Sequence, residues 1–224
     1  MAEDLGLSRQ TRMLDVGCGP GNLAIGFAPF SGSVTGIDKE TVMLRYAREA
    51  AANAHVQVNF VETAIEVLNV PDASIDFITV GRALHWLTPD ATLAIFNRIL
   101  SNGGYIAICG STATGSPVNG WTAAYNQLRR TWAPDYDEKQ HRVDLDAWFA
   151  PSRFRKAREI TVEHRHTVAV DDLVRRALSF SITSPAVLGD RRPQFEAEVR
   201  QALMPISRDG WLEEELVAKA TIFR

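Results

Sequence analysis

The sequence predicts a doubly wound α/β fold with a mostly parallel sheet. Short apolar runs alternate with helical patterns over about the first hundred residues, which is typical of parallel strands joined by right-handed crossovers. A glycine-rich turn at Gly17, Gly19 and Gly21 joins the first predicted strand to the first predicted helix. A strand, a glycine turn and a helix in this order form a nucleotide-binding element.

Each predicted strand is a short apolar or alternating run bounded by turn residues, and each predicted helix has apolar residues at helical spacing. The predicted strands are 12–16, 34–37, 56–61, 75–80, 105–109, 158–170 and 215–223. The predicted helices are 23–30, 41–53, 64–68, 90–100, 120–132, 171–181 and 192–204. Residues 101–104 predict a turn before the fifth strand, and residues 111–119 predict a loop.

Composition and charge restrict the class of protein. The 224 residues suit one domain with a sizeable core. The net charge of −3 and the lack of a long Lys/Arg run argue against a nucleic-acid partner. The two cysteines, Cys18 and Cys109, do not suggest a structural disulfide, so we expect a reducing, cytoplasmic setting. Without a signal peptide or a spanning apolar stretch, we expect no membrane partner.

The spacing of the glycine turn separates two kinds of nucleotide site. A dinucleotide fingerprint has glycines at relative positions 1, 3 and 6, whereas here Asn22 occupies the sixth position. Asp15 also stands two residues before the first glycine. A helix N-terminus already attracts a diphosphate, so an acid suits a ligand with sulfonium and ammonium cations better. A glycine turn that binds nothing is the alternative.

Residues 15–21, Asp-Val-Gly-Cys-Gly-Pro-Gly, resemble the first motif of the class I S-adenosylmethionine (SAM) methyltransferases. The resemblance covers residues 12–110 and extends to the small-molecule branch, methyltransferase type 11 and the trans-aconitate type. It implies a Rossmann-like, seven-stranded sheet of order 3-2-1-4-5-7-6 with an antiparallel last strand and helical cap elements. It implies SAM as cofactor, with S-adenosylhomocysteine (SAH) as product. We expect one domain over 1–224, with a SAM core at 12–110 and substrate-facing helices and the last two strands at 111–224.

The resemblance places the cofactor at the ends of the first four strands. Asp15 and the glycine loop would hold the methionine end of SAM, and Asp38 would accept hydrogen bonds from the ribose hydroxyls. The alternative for Asp38 is a helix cap. The family usually has an acid where Thr63 stands, and a threonine hydroxyl can still hydrogen-bond to adenine. The expected cofactor-binding residues are Asp15, Gly17, Cys18, Gly19, Gly21, Asp38, Lys39, Met43, Thr63, Ala64, Gly81 and Arg82.

A His-Trp pair after Gly81 also resembles the small-molecule branch, which implies that His85 lies near the transferred methyl group. His85 and Tyr125 are the candidate catalytic bases, although a carboxylate acceptor needs none. The expected substrate pocket is formed by His85, Trp86, Trp121 and Tyr125. A structural loop histidine and a core tryptophan are the alternatives.

No metal is expected. His164 and His166 alternate on a predicted strand, and His141 lies elsewhere, but no cysteine or carboxylate completes a set of recognisable spacing. The charge favours a small-molecule acceptor that receives the methyl group by in-line displacement at an oxygen, nitrogen or carboxylate. A tRNA- or protein-modifying methyltransferase, a non-catalytic SAM- or SAH-binding module and a nicotinamide enzyme stay open, as does a homodimer.

Overall fold

The computed structural model describes residues 1–133 and 143–224. The strands are β1 Arg12–Val16, β2 Ser33–Asp38, β3 Asn59–Glu62, β4 Ile75–Gly81, β5 Leu100–Ala113, β6 Lys156–Ala169 and β7 Trp211–Phe223. They form a seven-stranded mixed sheet of order β3-β2-β1-β4-β5-β7-β6. The α-helices are α1 Asn22–Phe27, α2 Thr41–Asn53, α3 Pro89–Ile99, α4 Thr122–Trp132, α5 Leu145–Phe149, α6 Val170–Leu178, α7 Pro185–Leu188 and α8 Arg192–Leu203. The predicted fold class is confirmed.

Two compact units make up the described chain. The first unit comprises residues 1–110, 143–161 and 219–224, and the second comprises residues 111–133 and 162–218. That they act as one methyltransferase domain stays a prediction. Among the residues described, no helix is both long and apolar enough to cross a membrane.

Parallel ladders order the sheet in the first unit. β1 lies between β2 and β4, β3 pairs with β2, and β5 pairs with β4, always in parallel. The carboxyl ends of parallel strands meet at one edge of a sheet. The fold therefore brings Asp15, Asp38, Glu62 and Gly81 to the same edge.

Alternate residues along β1 pack into two separate cores, since successive side chains of a strand point to opposite faces. Leu14 belongs to a cluster that includes Phe96 of α3. Met13 belongs to another cluster, with Ala24 of α1 and Leu44 of α2. The sheet of the first unit is thus a middle layer between two helical layers, as a doubly wound fold requires.

The second unit has an apolar core of its own, built largely from α4, α6 and α8. Tyr125, Leu173 and Phe195 are buried in it. The buried Glu214 on β7 accepts hydrogen bonds from Arg176 at 2.6 and 2.9 Å. Because each of the two terminal guanidinium nitrogens donates to one carboxylate oxygen, the charge of Glu214 is compensated where water is excluded.

The turn predicted at 101–104 is wrong, because β5 begins at Leu100, directly after α3. Ser101 Oγ donates to Asp76 Oδ1 at 2.7 Å and holds this segment against β4. At Gly104 a Cβ would lie only 2.9 Å from the carbonyl oxygen of Asp76. This glycine therefore serves the close approach of two strands rather than a turn. β5 also continues to Ala113, three residues into the predicted loop 111–119.

Other predicted elements shift at their ends. The helix predicted at 64–68 is a short 3-10 helix, Ile65–Val67, and the helix predicted at 171–181 ends at Leu178. The last strand begins at Trp211, four residues before its predicted start at Glu215.

Candidate functional site

The glycine loop, residues 17–21, follows β1 and needs glycine for two reasons. Gly17, Gly19 and Gly21 have φ values of 63°, 51° and 83°, which side chains disfavour. A Cβ at Gly17 would lie 2.5 Å from Ala83 Cβ, and one at Gly21 would lie 2.9 Å from the Phe60 ring. A Cβ at Gly19 would have no described heavy atom within 4 Å. Gly17 and Gly21 therefore allow Ala83 and Phe60 to pack closely against the loop. The backbone at Gly19 leaves space for a ligand to approach.

Asp15, the penultimate residue of β1, is 1% exposed. Its Oδ1 accepts a hydrogen bond from the Thr79 hydroxyl at 2.7 Å, and its Oδ2 accepts one from the Ala24 N–H at 3.1 Å. Burial raises the pKa of Asp15 to about 7, although both hydrogen bonds act to lower it. One carboxylate thus joins β1, β4 and the first turn of α1 beneath the glycine loop.

Asp38, the last residue of β2, reaches the glycine loop from the other side. Its Oδ2 accepts from the Gly19 N–H at 2.8 Å, and its Oδ1 accepts from the Glu40 N–H at 2.9 Å. Glu40, not Asp38, is the N-cap residue of α2, so the helix-cap alternative is wrong. A carboxylate offers about four lone-pair sites, and the half-buried Asp38 retains the capacity to accept two further hydrogen bonds.

Thr63 and Ala64 follow β3 and are tied to the end of β2. The Thr63 N–H donates to the Asp38 carbonyl at 3.0 Å, and the Thr63 hydroxyl donates to the Ala64 carbonyl at 3.2 Å. Both residues are half-buried, as is Met43 on α2, while Lys39 is exposed. The structure thus brings these predicted residues to the sheet edge where Asp38 lies.

Residues 81–86 lead from β4 into the 3-10 helix Leu84–Trp86. Arg82 has a left-handed φ of 58°, and its N–H donates to the Cys109 carbonyl at 3.2 Å. The His85 and Trp86 rings lie 4.7 Å apart, and Trp86 is 63% exposed. The structure therefore places His85 and Trp86 just past the strand end that neighbours Asp15, and Trp86 is not a core residue.

Residues 14–108 match the family model of a methyltransferase domain. This range, less than half of the chain, is similar to the class I SAM-dependent methyltransferases. The cofactor that goes with this family is SAM. The match supports the predicted family and cofactor, and the matched range contains the glycine loop, Asp38 and the turn at Arg82.

Three curated methyltransferases are similar to this chain. An uncharacterised methyltransferase of Schizosaccharomyces pombe is 27% identical over 180 residues, 78% of this chain and 66% of that protein. YcgJ, an uncharacterised methyltransferase of Bacillus subtilis, is 29% identical over 161 residues, 67% of this chain and 62% of that protein. A demethylmenaquinone methyltransferase of Staphylococcus aureus is 32% identical over 121 residues, 52% of this chain and 49% of that protein. In these sequence matches, the chain thus spans less than two thirds of the length of each relative.

The solved structure of YcgJ resembles this chain in fold. The two align with a TM-score of 0.57 and 21% identity, over 100% of this chain and 95% of that one. At this identity the likeness shows the shared fold alone.

Tyr125 and Trp121, two of the predicted pocket residues, belong to the core of the second unit. The Tyr125 hydroxyl donates to the Leu173 carbonyl at 2.9 Å, and burial raises the pKa of Tyr125 to about 12. The Trp121 Nε1–H donates to the Glu213 carbonyl at 2.9 Å. These contacts favour structural roles for both side chains, and the raised pKa keeps the Tyr125 hydroxyl protonated near neutral pH, where it cannot serve as a base.

The histidines considered for a metal lie in a different environment. The rings of His164 and His166 stack 4.9 Å apart, and His166 Nε2 lies 3.3 Å from a carboxylate oxygen of Glu214. Over residues 1–133 and 143–224, no three His, Cys, Asp or Glu side chains converge as metal ligands. His141 lies outside the described residues.

Both cysteines are free thiols, Cys18 buried and Cys109 half-buried. Burial raises the pKa of Cys109 to about 12 and that of Cys18 still further. Both therefore stay protonated, and neither suits nucleophilic chemistry.

Sequence reasoning missed Thr79, which is fully buried on β4 directly opposite Asp15 in the parallel register. The usable signal was a hydroxyl residue inside the otherwise apolar run Phe77 to Val80. A buried polar side chain needs a hydrogen-bond partner, and here Asp15 supplies it.

Proposed function

We propose that the protein transfers a methyl group from SAM to a small-molecule acceptor, at an oxygen, nitrogen or carboxylate. The observation that carries this proposal is the joining of Asp38 to the glycine loop through the Gly19 N–H at 2.8 Å. This contact sets a half-buried carboxylate beside the approachable backbone of Gly19. A ribose needs such an acceptor, and the methionine end of SAM needs such a backbone.

The remaining cofactor contacts follow from this placement. Asp38 accepts from the ribose hydroxyls, and the loop that contains Gly17, Cys18, Gly19 and Gly21 approaches the methionine end. The Thr63 hydroxyl and the Ala64 backbone lie on the adenine side, next to Lys39 and Met43. Gly81 and Arg82 bound the methionine end from β4.

When bound, SAM supplies an electrophilic methyl group on sulfur. An acceptor placed in line would take this methyl group, and the electron pair of the broken carbon–sulfur bond would stay on sulfur in SAH. The chain's own work is to orient the acceptor in line and to exclude water. We assign His85 as the residue that takes the proton from a hydroxyl or amine acceptor, whereas a carboxylate acceptor has none to lose.

Charge and exposure support a small-molecule acceptor. The net charge of −3 does not suit a phosphate backbone. The exposed indole of Trp86 offers a flat apolar surface beside His85. The Staphylococcus aureus relative is named for demethylmenaquinone, a small molecule.

Cofactor binding is tested by calorimetry with SAM, SAH and NAD on the wild type and on Asp38→Ala. The variant loses an acceptor of charge-assisted hydrogen bonds, so we expect SAM affinity to fall at least about tenfold. Asp190→Ala, which removes an exposed carboxylate in the second unit, is the matched control and should bind as the wild type does. Binding of NAD but not SAM would contradict the proposal.

A ligand lacking one hydroxyl separates ribose binding from damage to the loop. We expect 2′-deoxy-SAH to bind the wild type about tenfold more weakly than SAH, and Asp38→Ala to bind both ligands equally. An equal loss in both proteins would refute the ribose assignment. Methyl transfer from labelled SAM to small acceptors, tRNA and protein then tests the acceptor, and labelling of tRNA or protein alone would overturn the small-molecule class.

A further inference from the structure

Asp15 and Thr79 form a buried pair at the base of the glycine loop. They stand opposite each other in the parallel register of β1 and β4, so their side chains point to the same face of the sheet. The Thr79 hydroxyl donates to Asp15 Oδ1 at 2.7 Å, and the residues are 0% and 1% exposed. The pair is therefore a fixed contact within the core.

The same carboxylate also fixes the start of α1. Asp15 Oδ2 accepts from the Ala24 N–H at 3.1 Å, and the next residue, Ile25, donates its N–H to the Gly21 carbonyl at 2.8 Å. The glycine loop, residues 17–21, is therefore held at both ends. Asp15 comes just before Gly17, and Gly21 accepts from Ile25 of α1. With 1% of its surface exposed, Asp15 acts on a ligand through the loop and through its charge.

We propose that Thr79 is a positioning residue of the cofactor site, whose hydroxyl donates to the Asp15 carboxylate so that the glycine loop is held and the cations of SAM are attracted. This inference rests on the proposed placement of SAM at the glycine loop. It adds a residue from β4, 64 positions along the chain from its partner, to a site otherwise assigned to strand ends.

Asp15 accepts hydrogen bonds from two donors, which is why its ionised state depends on Thr79. Both the Thr79 hydroxyl and the Ala24 N–H donate to Asp15, and donation stabilises a carboxylate over the neutral acid. Burial acts in the opposite direction and is the larger effect, so the pKa of Asp15 is raised to about 7. Loss of one donor therefore moves this carboxyl further toward its neutral form.

The other charged and titratable groups around Asp15 do not reverse this dependence. Asp38 on β2 carries a like charge, which raises the pKa of Asp15. Cys18 in the loop and Cys109 on β5 stay neutral thiols, because burial raises the pKa of each. The helix α1, Asn22–Phe27, contains no ionisable side chain. These groups are unchanged in variants of Thr79, so a pH-dependent difference between such variants reports on Asp15.

The test is the pH dependence of SAM affinity in Thr79→Val and Thr79→Ser. Valine keeps the shape of the side chain and removes the donor, whereas serine keeps the donor. If the pKa of Asp15 rises by about one unit in Thr79→Val, SAM binding weakens about tenfold at pH 6 and about fivefold at pH 7, and the gap closes by pH 9. Thr79→Ser should follow the wild-type profile.

This profile distinguishes positioning through Asp15 from a general packing defect. A loop damaged by packing alone loses the same factor at every pH, and that result would overturn the inference. The ammonium of SAM also titrates, with a pKa of about 8, but it does so equally in all the proteins and cancels in the ratio. Circular dichroism and a urea transition establish that each variant is folded.

Asp15→Asn keeps the test decisive if Thr79→Val does not fold. An asparagine can accept from the Ala24 N–H through its oxygen and donate to the Thr79 oxygen, so it keeps both contacts without the charge. We expect it to bind SAM about tenfold more weakly than the wild type at pH 8 and to lose the wild-type weakening between pH 8 and pH 6. Wild-type affinity and pH dependence in this variant would overturn the inference. Failure of the wild type itself to bind SAM would instead refute the proposed function.

Discussion

Gly17→Ala is the substitution whose effect the geometry of the glycine loop defines best. A methyl group at residue 17 would have to adopt a φ of 63° and would meet Ala83 Cβ at 2.5 Å. A left-handed alanine costs about 1–2 kcal/mol, and an over-packed methyl group adds about 1–3 kcal/mol. We therefore expect the free energy of unfolding to fall by about 2–5 kcal/mol.

Gly19→Ala is the matched control, because its φ of 51° carries the same backbone penalty. A Cβ at residue 19 meets no described atom within 4 Å, so the packing penalty is missing. We expect this variant to lose only about 1–2 kcal/mol. The difference between the two variants then measures the contact with Ala83.

Ala83→Gly completes the cycle by removing the atom that the new methyl group would strike. Combined with Gly17→Ala, it should restore about 1–3 kcal/mol beyond the sum of the single effects. Urea denaturation with equal m-values provides the assay. Equal losses for Gly17→Ala and Gly19→Ala, or an additive double variant, would refute the reasoning.

Two predictions concern the second unit. Tyr125→Phe removes the donor to the Leu173 carbonyl and should reduce the free energy of unfolding by about 1–3 kcal/mol while kcat stays unchanged; a loss of kcat without a loss of stability would instead assign Tyr125 to catalysis. Glu214→Gln removes the charge that balances Arg176 and should cost about 3 kcal/mol by urea denaturation. Glu213→Gln, at the neighbouring and 58% exposed carboxylate, is the control and should cost less than about 1 kcal/mol, so equal losses would contradict the buried-pair argument.

The meeting of the glycine loop and Asp38 at one sheet edge was predictable because its signals are local. The spacing of three glycines with Asp15 sets the loop, and Asp38 follows at the end of the next strand. The order of parallel strands then brings those ends to one edge, whatever the rest of the chain does. Local spacing failed at residues 101–104, because Ser101 is held by Asp76, 25 residues earlier in the chain. The turn preference of residues 101–104 carries no information about Asp76, which lies far away in the sequence.

The aromatic residues expected at the substrate pocket show a different limit. Trp121, the N-cap residue of α4, and Tyr125 lie one helical turn apart, and an apolar helix face packs equally well against a core or around a ligand. The hydroxyl of Tyr125 decides between these only once its partner, the Leu173 carbonyl, is known. Trp86, by contrast, was weighed as a core residue and is largely exposed.

A buried polar residue in an apolar strand is a sequence signal that can indicate a partner far away in the chain. Thr79 interrupts an apolar run of β4, and Glu214 lies buried near the start of β7. Each needs a partner, because an unpaired polar group in a core costs about 1–3 kcal/mol. In a parallel ladder, the residue in register on the neighbouring strand is the first candidate, and for Thr79 that residue is Asp15. The glycine motif is therefore tied to a residue that its own spacing cannot contain.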